Sequence, residues 1–196
     1  MSEVITVIGG GAAGSSIINS LKGAHFNVKV GLRSPEKMDN AVSIESAIKD
    51  SGQVIILALP YDTSLKIVAD HKADLKNKTI IDMMNPIKAD MSGVQTFNGQ
   101  SGAENLQSEL PDSHIVETFN HVDAPVLGNP KGAFQFVVSD DKDALSHVTK
   151  IANQMGFDSQ PINDLSRTAE VENFAFLWIY YSVVANKKAD AFLKLQ

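Results

Sequence analysis

Three glycines near the amino terminus are spaced Gly9-x-Gly11-x-x-Gly14, directly after an apolar run and directly before a helical pattern. In this order the first glycine permits a tight turn, the second lets the backbone approach a pyrophosphate, and the third lets the helix pack on the strand. The helix N-terminus offers free N–H groups and a positive dipole end to the phosphates. The order of strand, glycines and helix favours this interpretation over an ordinary glycine-rich turn. The sequence therefore predicts a dinucleotide-binding turn made of Gly9, Gly10, Gly11, Ala12, Ala13 and Gly14.

The end of the second predicted strand, 27–31, distinguishes NAD from NADP. An acidic residue about 20 positions past the glycines would bond the ribose 2′-hydroxyl of NAD. Here Leu32 and Arg33 follow the strand, and Ser34 and Lys37 come next, with no acid at the tip. A guanidinium fork, a hydroxyl donor and a lysine suit a 2′-phosphate, so we expect these four residues to bind NADP(H). The alternative is that Arg33 is a solvated loop cation and Ser34 a helix cap.

Further candidates follow three other predicted strands. Because the carboxyl ends of parallel strands form the ligand crevice of such a sheet, these residues belong to the same predicted site. Tyr61 would pack on the cofactor or belong to the core. Asn85 would bind the nicotinamide carboxamide or ribose hydroxyls, or would only end its strand in an Asn-Pro turn. The candidates are Leu59, Pro60, Tyr61, Asn85, Pro86, Asn120 and His121.

His121 is the catalytic candidate, because it is the one proton-transfer side chain expected at the carboxyl end of a strand. The alternative is that it lines the pocket and forms local hydrogen bonds. We favour the alternative, since hydride transfer between two bound cofactors depends on stacking and positioning more than on acid–base help. The other histidines are not spaced as metal ligands, so no metal site is expected.

Composition narrows the class of protein. The chain has 196 residues, no cysteine and a formal net charge of −6. A thiolate site and a disulfide framework are excluded, and a nucleic-acid or anionic-membrane partner is disfavoured. No apolar run approaches the length of a membrane span, and Met1 leads directly into a strand. We therefore expect a cytoplasmic protein and a single domain over 1–196.

Alternating apolar runs and helical patterns predict an α/β domain with a Rossmann-type, doubly wound and mainly parallel sheet. The apolar run 54–59 is typical of a central strand that is covered on both faces. The predicted loops are 88–102 and 124–132. The predicted strands are 4–8, 27–31, 41–43, 54–59, 79–83, 115–119 and 134–138, and the predicted helices are 13–23, 44–49, 62–72, 103–110, 142–155 and 166–195.

The long C-terminal helix, 166–195, has apolar residues on every side over 174–181. Such a helix is buried all round. One domain of this size would cover only one face, so we expect the remainder to lie at a homodimer interface. The alternative is that the helix threads through the core of its own domain.

The chain resembles the coenzyme F-420-dependent NADP oxidoreductase family, whose coenzyme is a deazaflavin and to which the reductase domains of the STEAP metalloreductases are related. The resemblance implies NADPH with Arg33 at its 2′-phosphate and its nicotinamide near Pro60, Asn85 and Pro86. It also implies a second redox partner stacked over the Asn120-His121 side, and a homodimer built partly on C-terminal helices. Besides the glycine run, it rests on Val30-Gly31-Leu32-Arg33, Leu57-Ala58-Leu59-Pro60, Ile81-Asp82-Met83-Met84-Asn85-Pro86, Val116-Glu117-Thr118-Phe119-Asn120, Val137-Val138-Ser139-Asp140-Asp141, Gly156-Phe157, Leu165-Ser166-Arg167, Glu170 and Glu172.

Four positions depart from the family pattern. Ala12-Ala13 stands where members commonly carry asparagine and a leucine or methionine, and Gly10 replaces a threonine of the deazaflavin-using relatives. Leu32 replaces a small hydroxyl residue, so Arg33 carries more of the 2′-phosphate. The resemblance implies an NADPH-dependent oxidoreductase whose acceptor is a deazaflavin, a flavin or a quinone-like molecule. The alternatives are a non-catalytic NADP(H) sensor or regulatory module, and a subunit whose substrate pocket is completed across a dimer.

Overall fold

The computed structural model describes residues 3–181, and one sheet runs through this part of the chain. Its strand order is β3-β2-β1-β4-β5-β6-β7-β8, with parallel pairing throughout except between β6 and β7. The prediction of a doubly wound, mainly parallel Rossmann-type sheet is therefore confirmed. The strands are β1 (Val4–Ile8), β2 (Asn27–Leu32), β3 (Ala41–Ser43), β4 (Val54–Leu57), β5 (Thr79–Asp82), β6 (His114–Glu117), β7 (Phe134–Val138) and β8 (Asp158–Ile162).

Helices cover both faces of the sheet. Two single-turn 3₁₀ helices, Pro35–Lys37 and Leu165–Arg167, follow β2 and β8. The α-helices are α1 (Ala12–Gly23), α2 (Ile44–Lys49), α3 (Tyr61–Asp70), α4 (Lys72–Leu75), α5 (Gly102–Glu109), α6 (Ala124–Gly128), α7 (Lys142–Gln154) and α8 (Thr168–Ile179). In the described residues, no helix combines the length and apolar character that crossing a membrane requires.

The central strands are apolar without alternation because each of their faces packs on a separate core. Val7 and Ile56 point into the core shared with α1 and α7. Ile8 and Ile55 point into the opposite core, shared with α2, α3 and α5. Burial on both faces is typical of parallel strands and explains the continuous apolar runs in the sequence.

Two elements differ from the prediction. Strand β8 was not predicted, because Asp158-Ser159-Gln160-Pro161-Ile162 is polar and holds a proline, which only an edge strand tolerates. The predicted loop 124–132 contains helix α6, which has a proline in its first turn. A proline there costs no hydrogen bond, so it begins the helix where the sequence suggests a loop.

The C-terminal helix begins close to the predicted position. The 3₁₀ turn starts at Leu165 and α8 extends to Ile179, so the predicted C-terminal helix is confirmed over this stretch. The remainder of the predicted helix, 182–195, lies outside the described residues.

Candidate functional site

The glycine turn has the geometry that a phosphate-binding turn requires. Gly9 adopts a φ of +119°, and a Cβ there would lie 2.2 Å from the carbonyl oxygen of Ala58. A Cβ at Gly14 would lie 2.5 Å from the carbonyl oxygen of Gly9, so helix and strand are in close contact. Gly11 is different, because no atom lies within 4 Å of its Cβ position and the residue is exposed. Gly9 and Gly14 therefore form the turn, while Gly11 leaves open space in front of it.

The N-terminus of α1 is available to an anion. Gly11 is its N-cap and supplies no side-chain cap, and the first turn contains no acidic residue. The first N–H groups of a helix have no partner within the helix, and the helix dipole favours negative charge there. The side chains of Ala12 and Ala13 end at Cβ, so they add little bulk at this end of the helix. The predicted phosphate cradle therefore fits the structure.

The tip of β2 carries cations and no acid. Arg33 and Lys37 are exposed, and no described residue forms an ion pair with either. Ser34 precedes the 3₁₀ turn, yet its side chain makes no cap hydrogen bond there. A Cβ on Gly10 would lie 2.8 Å from Leu32 Cδ2, so a larger residue at position 10 and Leu32 compete for the same space. The structure explains why Gly10 and Leu32 depart from the family pattern together.

Tyr61 belongs to the core. It is 5% exposed, its hydroxyl donates to the carbonyl of Gly102 at 2.7 Å, and that hydroxyl accepts from Asn105 Nδ2 at 3.0 Å. Burial raises the pKa of the phenol above its ordinary value. Pro60 is exposed and half-buried Leu59 precedes it. Of the two interpretations of Tyr61, the structure therefore favours the core, and only its main chain lies at the predicted site.

Asn85 presents a buried, unused acceptor just after β5. Its Nδ2 donates to the carbonyl oxygen of Asn120 at 2.6 Å. Its Oδ1 is buried and has no hydrogen-bond partner among the described residues. The adjoining Pro86 is buried, and the Cβ position of Gly102 lies 2.9 Å from its Cγ. A buried carbonyl oxygen without a donor is uncommon in proteins and marks a place for a ligand N–H.

His121 is enclosed rather than free. Its Nε2 accepts from the main-chain N–H of Phe136 at 3.2 Å, so its Nδ1 carries the proton and donates to Asn120 Oδ1 at 3.1 Å. The ring is 3% exposed, and burial lowers the pKa of the imidazole to about 4. Both ring nitrogens are thus engaged by protein groups. The geometry supports the pocket-lining interpretation that the sequence favoured over proton transfer.

Two half-buried aromatic rings adjoin His121 and form an aromatic wall. Phe136 of β7 lies 5.7 Å from the imidazole, centroid to centroid, and Phe174 of α8 lies 5.6 Å from it. The two phenyl rings are 6.2 Å apart in an edge-on arrangement. Such distances are typical of favourable aromatic pairs. The wall brings α8 to the carboxyl end of β6.

Sequence reasoning missed a buried group of three carboxyls beneath this edge. Asp82 and Glu117 end β5 and β6, are direct register partners, and are 2% and 1% exposed. Glu172 of α8 is 2% exposed, and its Oε1 accepts from the main-chain N–H of Ala103 at 3.2 Å. The available signal was an acid at the end of an otherwise apolar strand, in Ile80-Ile81-Asp82 and in Ile115-Val116-Glu117. Such acids are almost never fully buried unless they have a partner.

The three carboxyls have raised pKa values, so each binds its proton more tightly than an exposed carboxyl does. Burial raises the pKa of Asp82 to about 7, although the hydrogen bond from the main-chain N–H of Met84 acts in the opposite direction. Burial and neighbouring acids, Asp82 above all, raise the pKa of Glu172 to about 8. Burial, followed by the charges of Glu172 and Asp82, raises the pKa of Glu117 well above its ordinary value. Among the described residues no ion pair involves any of the three.

The fold and the glycine turn define a Rossmann-type protein of the dinucleotide-binding class. Over residues 4–86 the chain matches the sequence model of a family described as NADP oxidoreductase coenzyme F420-dependent. The resemblance inferred from the sequence to a family of NADP-dependent oxidoreductases is therefore confirmed.

Individual relatives agree with this assignment. The F420-dependent NADP reductase of Methanocaldococcus jannaschii is 31% identical over 111 residues, which cover 53% of this chain and 50% of the relative. Metalloreductase STEAP2 of Homo sapiens is 30% identical over 204 residues, which cover 96% of this chain and 40% of that protein. The chain thus spans half or less of the length of these relatives. A putative F420-dependent NADP-reductase from Arthrobacter sp. FB24 shares the fold over the full length of both chains, with a TM-score of 0.85 and 19% identity.

Proposed function

We propose that this chain is an NADP(H)-dependent oxidoreductase that binds the dinucleotide along the carboxyl edge of the sheet. The tips of β2, β1, β4 and β5 lie side by side and carry, in that order, Arg33, the glycine turn, Pro60 and Asn85. Three strand spacings separate the first tip from the last, which is about 14 Å. The 2′-phosphate would lie at Arg33 with Ser34 and Lys37, the pyrophosphate at the glycine turn, and the nicotinamide at Asn85 and Pro86.

The observation that carries the proposal is the buried, unpartnered Oδ1 of Asn85. The bond from Nδ2 to the Asn120 carbonyl fixes the orientation of the amide, so its acceptor oxygen is the group left without a partner among the described residues. A nicotinamide carboxamide has the N–H group that this acceptor lacks. The edge of the sheet thus offers the Arg33 guanidinium to the 2′-phosphate of NADP(H) and the Asn85 side-chain oxygen to the nicotinamide carboxamide.

The chain contributes positioning and exclusion of water. When bound, NADPH supplies a hydride to the acceptor. Asn85 orients the carboxamide, and the free N–H groups of α1 hold the phosphates. The aromatic wall of Phe136 and Phe174 offers an apolar surface against which a deazaflavin, a flavin or a quinone-like acceptor would lie. His121 stays neutral and supports this wall through its two hydrogen bonds.

A non-catalytic NADP(H) sensor is the second candidate. One observation favours it, since no titratable side chain at the described strand ends is free to exchange a proton with a substrate. His121 is engaged at both nitrogens, and Asp82 and Glu117 are buried beneath the edge. Tight NADPH binding without turnover on any planar acceptor would favour the sensor.

The variant Asn85→Leu tests the nicotinamide end. We expect it to weaken NADPH binding about tenfold, the equivalent of one hydrogen bond with its desolvation. Binding of adenosine 2′,5′-bisphosphate, which lacks the nicotinamide half, should not change, and this ligand also reports whether the variant is folded. Isothermal titration calorimetry with both ligands is the measurement. An equal loss of both affinities, or no loss of either, would remove Asn85 from the proposed site.

The single domain and the homodimer are parts of the same proposal. Leu177, Tyr180 and Tyr181 of the C-terminal helical segment are 63%, 45% and 51% exposed. Large apolar side chains that are exposed together are typical of an interface. The opposite side of α8 packs on its own domain through Val171 and Ala175. A second copy would cover the exposed side, as the sequence predicts for this helix.

A further inference from the structure

The carboxyl of Glu117 has two different neighbours. Its Oε1 accepts from Asn120 Nδ2 at 3.0 Å, whereas its buried Oε2 meets no donor among the described residues. The Glu172 carboxyl acts on the Glu117 carboxyl through its charge and through a side-chain hydrogen bond, and both interactions raise the pKa of Glu117. Two carboxyls can form a hydrogen bond only when one of them carries a proton. The orphaned oxygen therefore indicates a proton shared between Glu117 and Glu172.

This proton connects α8 with the nicotinamide end of the site. Glu117 fixes the side-chain amide of Asn120, whose Oδ1 in turn accepts from His121 Nδ1. The carbonyl of Asn120 accepts from Asn85 Nδ2, and the buried Oδ1 of the same amide has no donor among the described residues. On the other side, Glu172 is anchored to the N-terminus of α5 through Ala103. Asn120 thus links Glu117, through its side chain, with Asn85, through its main-chain carbonyl, while Glu172 holds α8 to α5.

We propose that Glu117 and Glu172 are positioning residues, and that the proton they share holds Asn85 in the orientation that binds the nicotinamide carboxamide. This proposal rests on the proposed NADP(H) site and adds to it a dependence on pH. Removing the proton leaves two adjacent buried carboxylates, whose repulsion moves Glu117 away from Asn120 or α8 away from the sheet. The nicotinamide half would then bind more weakly, and the adenosine half would not change.

Within the described part of the chain, no cation forms an ion pair with Glu117 or Glu172 in place of the proton. Asp82 of β5 and Glu104 of α5 add negative charge to Glu172. Tyr61 of α3 feels the charges of Asp82, Glu172 and Asp62 and stays protonated. The pKa of Glu172, raised to about 8 by burial first and Asp82 second, places the loss of the proton at mildly alkaline pH.

The test compares two ligands between pH 7.0 and pH 9.5. The quantity measured is the ratio of the NADPH affinity to the adenosine 2′,5′-bisphosphate affinity, from isothermal titration calorimetry. Both ligands carry the 2′-phosphate, whose last proton dissociates near pH 6, so its titration cancels. We expect the ratio to fall about tenfold in the wild-type protein as the pH rises, a typical size for coupling between sites.

Glutamine variants remove the titration of the shared proton while they keep a hydrogen bond between positions 117 and 172. A glutamine at either position donates an N–H to the remaining carboxylate at every pH, so Glu172→Gln and Glu117→Gln should keep the ratio constant. Glu170→Gln, at an exposed position of the same helix, is the matched control and should behave as wild type. A constant ratio in the wild-type protein, or the same fall in Glu172→Gln, would overturn the shared proton. Failure of both ligands to bind at pH 7.0 would instead contradict the proposed function.

Discussion

Gly9 and Gly11 have different surroundings within one turn, in agreement with the different roles that the motif gives them. Gly9→Ala places a Cβ 2.2 Å from a carbonyl oxygen at a φ of +119° and should destabilise the fold by about 2 kcal/mol or more. Gly11→Ala meets no atom within 4 Å and should leave the free energy of unfolding within about 0.5 kcal/mol of wild type. Urea denaturation measures both stabilities.

NADPH titration of the same pair separates folding from binding. The Cβ of Gly11→Ala would occupy the open space in front of the helix, so this variant should bind NADPH at least about tenfold more weakly while it stays folded. Unchanged NADPH affinity in folded Gly11→Ala would mean that the pyrophosphate lies elsewhere.

The residues at the strand ends were predictable in position but not in environment. Their place follows from the order of apolar runs, because every parallel strand ends at the same edge. The sequence could not show that the Tyr61 hydroxyl turns to Gly102, or that His121 is sealed by Asn120 and Phe136. The Tyr61 contact joins residues 41 positions apart and the Phe136 contact joins residues 15 positions apart, which no local pattern encodes.

At the scale of elements, the packing of α8 depends on Glu172, a buried carboxyl that favours its protonated form. Glu172 has a pKa raised to about 8 in the folded protein, against an ordinary value of 4.5. The folded state therefore binds more protons than the unfolded chain, so this group stabilises the fold fully below pH 4.5. That contribution is lost as the pH rises through about 8.

Glu172→Gln reports this loss directly, because the amide resembles the protonated acid. The free energy of unfolding of wild type, minus that of the variant, should fall by at least about 1.4 kcal/mol between pH 5 and pH 9, which corresponds to one pKa unit. Urea denaturation at several pH values, with Glu170→Gln as the exposed control, is the measurement. A difference that rises with pH would show that Glu172 is stabilised as a carboxylate.

The elements that the sequence predicted are those with a strong period or a continuous apolar run. Strands β1 and β4 and helix α1 belong to this group, because burial on a defined face leaves a pattern in the sequence. Strand β8 and helix α6 do not, since one is a polar edge and the other a single proline-led turn. Asp82 and Glu117 fall within predicted strands, but their proximity to Glu172 of α8 depends on tertiary packing that the local sequence does not encode.

At the scale of the whole molecule, the exposed apolar side of the C-terminal helical segment predicts a homodimer. Leu177→Glu puts a charge at the position that is 63% exposed and should convert a dimer to a folded monomer. Met91→Glu, at an exposed apolar residue of a loop, is the matched control and should stay dimeric. Size-exclusion chromatography with light scattering gives the mass. A monomeric wild-type protein would contradict the proposed interface.

The central claim is that the chain oxidises or reduces NADP(H) and prefers it to NAD(H) through Arg33. The most direct measurement is the loss of reduced-nicotinamide absorbance when the protein, NADPH or NADH, and a panel of deazaflavin, flavin and quinone acceptors are mixed. We expect turnover with at least one acceptor, about tenfold higher kcat/KM for NADPH than for NADH, and loss of that preference in Arg33→Ala. No oxidation of NADPH with any acceptor, or equal use of NADH and NADPH by the wild-type protein, would contradict the account.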